Sequence, residues 1–279
     1  MDGARRWFLR VFLAAAILAV VLTFGSFMER GGAQEGNADP VSSAGPPVTA
    51  VRRGMLYGFV DEYGNTVIPP RFEGAGDFHQ GFAAVRTGDR WGYIDPGGKL
   101  AIPPLFEEAG DFSEGLAPVS AGEKWGYIDR NGRLIIPFLF DYAMPFSEGL
   151  ASVNFGGFRE GKWGFIDKTW EWVILPSFEE AWDFTEGLAR VKYGEKWGFV
   201  DKTGKFRIPA KYEDAGSFSS GLARVKTEGK WGYVNSIGEV VIPFRFDYAW
   251  DFAWGKAKVR SGDMILYFDK YGVFLTGNP

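Results

Sequence analysis

The feature that most constrains this chain is a period. Tyr57, Trp91, Trp125, Trp163, Trp197, Trp231 and Ile265 fall in one slot, spaced by 34 residues except for a single step of 38 that carries an insertion around residues 154–161. A fixed period of this length marks a repeat architecture, in which each unit buries its apolar face only by stacking on its neighbours. Every recurring residue is therefore read first as part of that stacking.

Each unit runs through a segment such as "GLARVKYGEK", then "WGFVD", a turn, "KFRIP", and a connector such as "AKYEDAGSFSS". This reads as three antiparallel strands and a connector. Asp-X-X-Gly joins the second strand to the third, as at Asp95–Gly98, Asp129–Gly132 and Asp201–Gly204. Asp at the first position of a type I turn accepts a backbone N–H two residues on, and Gly takes the positive φ that closes the hairpin. Ile-Pro, as at Ile136-Pro137, is expected to end the third strand, because proline has no N–H for a ladder. Counting the first strand by its valine (Val51, Val85, Val119, Val153, Val191, Val225, Val259) gives seven three-stranded units and six connectors.

Alternation puts the Trp, the second aromatic and the Asp of "WGYID" on one face, with Gly and Ile on the other. Trp-Gly then reads as a stacking joint, the ring covering the next unit and the bare glycine backbone letting a neighbour approach. The expected fold is all-β, either a propeller-like toroid or a strongly curved β-solenoid. Short antiparallel sheets twist, which favours the curved or closed form.

The motifs "WGYID" at 91 and 125, "IPP" at 102–104 and "FSEGLA" at 112–117 and 146–151 resemble those of the WG-repeat proteins, and the resemblance covers residues 47–279. It implies a repeat-built interaction module rather than an enzyme class. Two positions depart from the pattern: Trp170 stands in the turn-glycine slot, and Leu266 fills the Gly slot of the last unit. Altered turns are expected there.

Ahead of the repeats, Arg5, Arg6 and Arg10 precede eighteen uncharged residues, Val11 to Met28, enough to cross a bilayer core. Residues 1–28 are thus expected to form an N-terminal transmembrane helix, with the arginines held on the cytoplasmic side and the repeats sent across. A cleaved signal segment, leaving a secreted domain, is the alternative. Residues 29–46 are rich in Gly, Ser and Pro and read as a flexible tether.

Chemistry is harder to find. The chain has no Cys, one His and a net charge of −4. That set excludes thiol catalysis and Cys-ligated zinc, and gives no basic stripe for nucleic acid. Neither a metal site nor a cofactor is expected. His79 occupies a slot held elsewhere by Ser113, Ser147, Thr185 and Ser219, and no nucleophile-elbow pattern accompanies it. The connector acids Glu73, Glu107, Asp141, Glu179, Glu213 and Asp247 recur in one slot. A catalytic pair needs unlike environments, so the acids read as caps of single helical turns, with a ligand-binding row as the alternative.

Candidate contacts lie where one unit differs from the others. Trp170 and Trp172 replace a turn glycine and a strand residue, Trp182 and Trp250 replace the small residue seen at Gly110 and Gly216, and Trp254 replaces the acid seen at Glu114. The insertion adds Phe155, Phe158 and Arg159. Such aromatics either form a platform for a partner or a sugar ring, or fill gaps in packing. The chain is therefore expected to be no enzyme but a membrane-tethered, extracytoplasmic platform for protein or envelope polymer, with a glycan-binding or glycan-cleaving module as the alternative.

Overall fold

The structure, a computed structural model, describes residues 48–157 and 161–275. The expected membrane segment and linker, together with Phe158 and Arg159, lie outside the described residues. Within them the chain is all-β, without a helix, and forms seven antiparallel sheets in chain order. These are numbered here sheet 1 (49–72), sheet 2 (74–106), sheet 3 (108–140), sheet 4 (142–178), sheet 5 (180–212), sheet 6 (214–246) and sheet 7 (248–268).

The expectation of three strands per unit is corrected in five of the seven sheets. Sheets 2 to 6 have four strands, here named a to d in chain order, because the connector supplies strand a. In sheet 3 the connector residues Glu108–Ala109 pair with Ser120 and Val119, and the Glu107 N–H donates to the Ser120 carbonyl at 2.9 Å. The connector satisfies its backbone polar groups through a sheet edge rather than through a helical turn. Sheet 1 begins at strand b (Thr49–Arg53), and sheet 7 ends at strand c (Met264–Phe268), apart from a bridge between Phe268 and Phe274.

Ile-Pro does not end its strand. Strand d of sheet 3 runs through it, Leu134–Phe140, and the register slips between Tyr127↔Ile136 and Trp125↔Phe140. Proline is tolerated because it sits in this bulge, where no ladder N–H is required. The same bulge explains the glycine of Trp-Gly. A Cβ on Gly126 would lie 2.5 Å from the Ile136 carbonyl oxygen, and one on Gly92 2.6 Å from that of Ile102. The glycine makes room for its own sheet's bulge, not for a neighbouring unit as the sequence suggested. Leu266 is accommodated in sheet 7, where no strand-d isoleucine carbonyl occupies that space among the described residues.

The Asp-X-X-Gly turns form as expected. Asp129 Oδ1 accepts from the N–H groups of Asn131 and Arg133, both at 2.9 Å, and Gly132 adopts φ 77°. Trp170 leaves its turn unaltered: it takes φ 57°, and its N–H donates to the Asp167 carbonyl at 2.9 Å. A left-handed conformation in a non-glycine residue costs about 1–2 kcal/mol. Packing of the Trp170 ring against the core between sheets 3 and 4 opposes that cost.

Neighbouring sheets share their cores. Tyr233 and Ile242 of sheet 6 cluster with Ala249, Phe252 and Val259 of sheet 7. The second aromatic of the motif is the most regular joint. Tyr93, Tyr127, Phe165 and Phe199 each stack on the connector phenylalanine of the next sheet (Phe112, Phe146, Phe184, Phe218) at 4.8–4.9 Å. The motif tryptophan joins sheets as well, as when Trp125 meets Tyr142 at 4.9 Å. A turn glycine completes the contact, the Cβ position of Gly132 lying 3.2 Å from Ile102 of the preceding sheet.

In a four-stranded meander the a–b and c–d turns lie at one end, and the b–c turns and sheet-to-sheet connections at the other. The array thus has two rims, and each atypical side chain can be assigned to a rim or to the strands between.

Candidate functional site

The recurring acids form neither helix caps nor a free row. Each clamps the b–c turn of its own sheet: Glu107 accepts from the Glu123 N–H at 3.3 Å, Glu213 from Gly229 at 3.0 Å and Asp247 from Gly262 at 2.7 Å. Most also bind the cation that precedes the motif aromatic of the previous sheet, as in Arg90–Glu107 at 3.2 Å, Lys162–Glu179 at 3.0 Å and Lys230–Asp247 at 2.7 Å. For Glu107 the backbone N–H of Glu123 holds the carboxyl below its usual range, with Arg90 adding to it; for Asp247 the Lys230 bond does the same. These carboxylates serve as staples.

The atypical aromatics divide into two groups. Trp170, Trp172 and Phe155 are part of the packing: Trp172 lies edge-on to Phe155 at 6.1 Å and to Phe140 at 6.0 Å, and its ring covers Gly164. Phe206 fills the same slot in sheet 5 and meets Tyr193 and Phe178 in the same way. Trp182, Trp250 and Trp254 are different. Trp254 is 97% exposed in the a–b turn of sheet 7, and Trp182 is 38% exposed on strand a of sheet 5.

Trp182 and Trp250 each carry a cation from the adjacent strand b. The Arg190 guanidinium lies 4.2 Å from the Trp182 ring centre and 5.4 Å from that of Trp197, and Lys258 Nζ lies 4.7 Å from Trp250. Between them, Arg224 lies over Trp231 at 4.9 Å and bonds Asp251 at 2.6 Å. Arg190, Arg224 and Lys258 were not singled out in the sequence. They share one strand-b slot with Ala84, Pro118 and Ser152, so a comparison of that slot across units would have found a basic half and a neutral half.

Asp183, next to Trp182, belongs to the same cluster. Its Oδ1, Thr185 Oγ1 and Arg190 Nε are buried with no hydrogen-bond partner among the described residues, as is Ser152 Oγ on the neighbouring sheet. Burial pushes the Asp183 carboxyl up to about 6, and the opposing charge of Arg190 does not offset it. Burial, with Arg224 adding, lowers the Arg190 value. In sheets 2 and 3 the Asp183 slot holds Asp77 and Asp111, while Ala84 and Pro118 stand in the Arg190 slot; His79 Nε2 lies 3.3 Å from Asp111, whose carboxyl is raised by burial, with His79 opposing and Asp77 adding. The edge formed by strands a and b thus carries acids with a neutral strand-b slot over sheets 2 and 3, and gains cations in that slot, with Trp182 and Trp250, over sheets 5 to 7. Among the described residues no cluster of three or more His, Cys, Asp or Glu is arranged to hold a metal ion.

Comparison with solved structures shows the fold alone. The chain is similar to a eukaryotic initiation factor (11% identity, 87% of this chain and 77% of that one, TM-score 0.59). It is also similar to BamB from Moraxella catarrhalis, a propeller-like neighbour (11%, 84% and 83%, TM-score 0.51), and to Hsv2p from Kluyveromyces lactis (9%, 80% and 93%, TM-score 0.52). No curated protein matches by sequence. The family model described as "WG containing repeat" matches six times in succession, over residues 57–91, 91–125, 125–157, 163–197, 197–231 and 231–264, the same units whose bulges and turn staples are set out above. The chain belongs to the WG-repeat family.

Proposed function

We propose that this protein is a membrane-tethered interaction platform whose repeat array stands outside the cytoplasm and binds a protein or an envelope polymer through the strand-a edge of sheets 5 to 7. The observation that carries the reading is Trp182: a large ring, 38% exposed and capped by Arg190 at 4.2 Å, in a slot where Gly76, Gly110 and Gly216 show that stacking requires no side chain. An amphipathic aromatic paired with a cation suits a contact surface better than a core. The eighteen uncharged residues behind three arginines support the tether and its orientation.

The test is capture of partners from envelope extract and cell-wall polymer with the full chain and with Trp182→Gly/Trp250→Gly, which restores the residue of the other units. A partner held by the parent chain and lost by the variant supports the proposal. Capture that is equal for both, or nothing held by either, refutes it.

A second reading is favoured by one feature: Asp183, the residue after the exposed Trp182, carries a buried carboxylate oxygen without a hydrogen-bond partner among the described residues. Sugar recognition combines an aromatic face with a carboxylate acceptor. Tryptophan fluorescence that stays constant across a glycan panel, with no glycan cleaved, excludes that reading.

A further inference from the structure

The rim that carries the a–b and c–d turns changes character along the array. In the middle it is a ladder. The N–H of Gly115 donates to Gln80 at 2.9 Å, that of Gly149 to Glu114 at 3.1 Å, that of Gly187 to Glu148 at 3.1 Å and that of Gly221 to Glu186 at 2.8 Å. The c–d turns join in, with Lys168 pairing with Glu114 at 3.0 Å and Lys202 with Glu148 at 3.1 Å. Glu114 and Glu148 are each matched by a lysine there, whereas Glu186 has Ser236 in the lysine slot, and the third residue of each of these c–d turns is Asn131, Thr169 or Thr203.

At sheets 6 and 7 both elements are replaced. Ser220 and Trp254 stand in the glutamate slot, so Lys270, which occupies the slot of Lys168 and Lys202, has a serine where they have their acid. No ion pair involves Lys270 or Lys256 among the described residues; each instead lies against a tyrosine ring, Lys270 at 5.1 Å from Tyr271 and Lys256 at 6.0 Å from Tyr267. The third turn residues become Ile237 and Tyr271, 63% and 74% exposed, on the same rim as the almost fully exposed Trp254. Three turns therefore project an aliphatic and two aromatic side chains flanked by uncompensated lysines.

The chain enters the array at this same rim. Thr49–Arg53 is a strand b, which runs from the a–b rim to the opposite one. An 18-residue Gly/Ser/Pro-rich linker (29–46) has a typical span of about 20–25 Å. On the tethered reading, a linker of that length would hold this rim within reach of the membrane.

We propose that Ile237, Trp254, Lys256, Lys270 and Tyr271 form a docking rim for the surface of an anionic lipid bilayer, the membrane to which the N-terminal segment tethers the chain. The proposal rests on the tethered reading given above. Trp and Tyr prefer the headgroup region, where an amphipathic ring meets both water and acyl chains, and lysines beside them are drawn to anionic lipid. Side chains projecting singly from three turns suit a deformable interfacial layer. A protein partner would require a complementary hollow for each.

The chain has no cysteine, so a single fluorophore can be placed cleanly on the full-length protein reconstituted into vesicles with and without anionic lipid. One label goes at Ser236→Cys, on the docking rim of sheet 6, and a control at Asp263→Cys, on the opposite rim of sheet 7. Flotation reports the tether, and quenching by headgroup-labelled lipid reports the rim. The expected result is flotation, with the rim label quenched several-fold more than the control in anionic vesicles, and that difference abolished by Trp254→Glu/Lys270→Glu. Flotation with equal quenching of the two labels, or quenching indifferent to the double substitution, overturns the docking rim alone and leaves those side chains to a protein partner. Failure to float overturns the tethered reading and the docking rim with it.

Discussion

Asp183 supplies the sharpest energetic test of the strand-a cluster. Its carboxyl is buried beside Arg190 without a hydrogen-bond partner for Oδ1, and is raised from an ordinary value of 3.8 to about 6. A carboxyl whose folded value exceeds its unfolded value contributes stability that is fully present below the unfolded value and lost as pH rises through the folded one. A shift of about two units at 1.36 kcal/mol per unit makes the loss on the order of 3 kcal/mol between pH 4 and pH 8. Asp183→Asn keeps the shape of the protonated side chain and cannot ionise. The variant is therefore expected to match the parent at pH 4 and to exceed it by about 2–3 kcal/mol at pH 8. Urea unfolding of the repeat array followed by tryptophan fluorescence at pH 4, 6 and 8 measures the difference. A gap independent of pH, or a parent more stable than the variant at pH 8, would show that Arg190 compensates the charge and would refute the reasoning.

Further expectations follow from the packing. Gly126→Ala places a Cβ 2.5 Å from the Ile136 carbonyl and is expected to cost about 3 kcal/mol or more, whereas Gly122→Ala, at φ 60° in open space, costs about 1 kcal/mol; thermal unfolding of the two variants separates the mechanisms. Tyr127→Phe removes the bond to the Met144 carbonyl at 2.7 Å and is expected to cost about 1 kcal/mol in urea unfolding, no more, since Phe165 and Phe199 fill the same slot in neighbouring sheets. Trp254→Ala, at an almost fully exposed position, leaves the unfolding midpoint unchanged within about 0.5 kcal/mol. Glu148→Ala removes the Gly187 bond and the Lys202 ion pair while leaving the Lys202 bond to the residue 148 carbonyl, and faster hydrogen exchange at the Gly187 amide is the expected sign.

Much of the fold was legible because its signals are local. The period, strands b to d and the Asp-X-X-Gly turns depend on residues within a few positions of one another. Strand a was not legible. In sheets 3, 4, 6 and 7 it is only two residues long, and its partners lie about ten residues further on, so no alternation could reveal it. The reading of Ile-Pro as a stop failed for a related reason: proline's missing N–H is compatible with ending a strand or with bulging it, and only the glycine opposite decides between them. At the candidate site, Trp182 and Trp250 stood out as departures from glycine, but their cations lie on the next strand and emerge only once strand a pairs with strand b. Trp172 misled because a departure from one neighbour, Leu134, was a match to another, Phe206.

The ladder on one rim has a further consequence for how the array can be altered. From sheet 2 to sheet 6 each a–b turn there is spliced to the next by a side chain of fixed reach, so a residue added to such a turn would displace two sheets. On the other rim each b–c turn is clipped to its own connector acid, and the link to the next sheet, as in Arg90–Glu107 and Lys230–Asp247, starts from the first residue of strand c, beyond the turn itself. The single unit of length 38 takes its four extra residues in that place, at 154–161. New recognition loops are therefore best grafted into the turns at Gly88, Gly122, Gly194, Gly229 and Gly262, where the scaffold already tolerates a change of length.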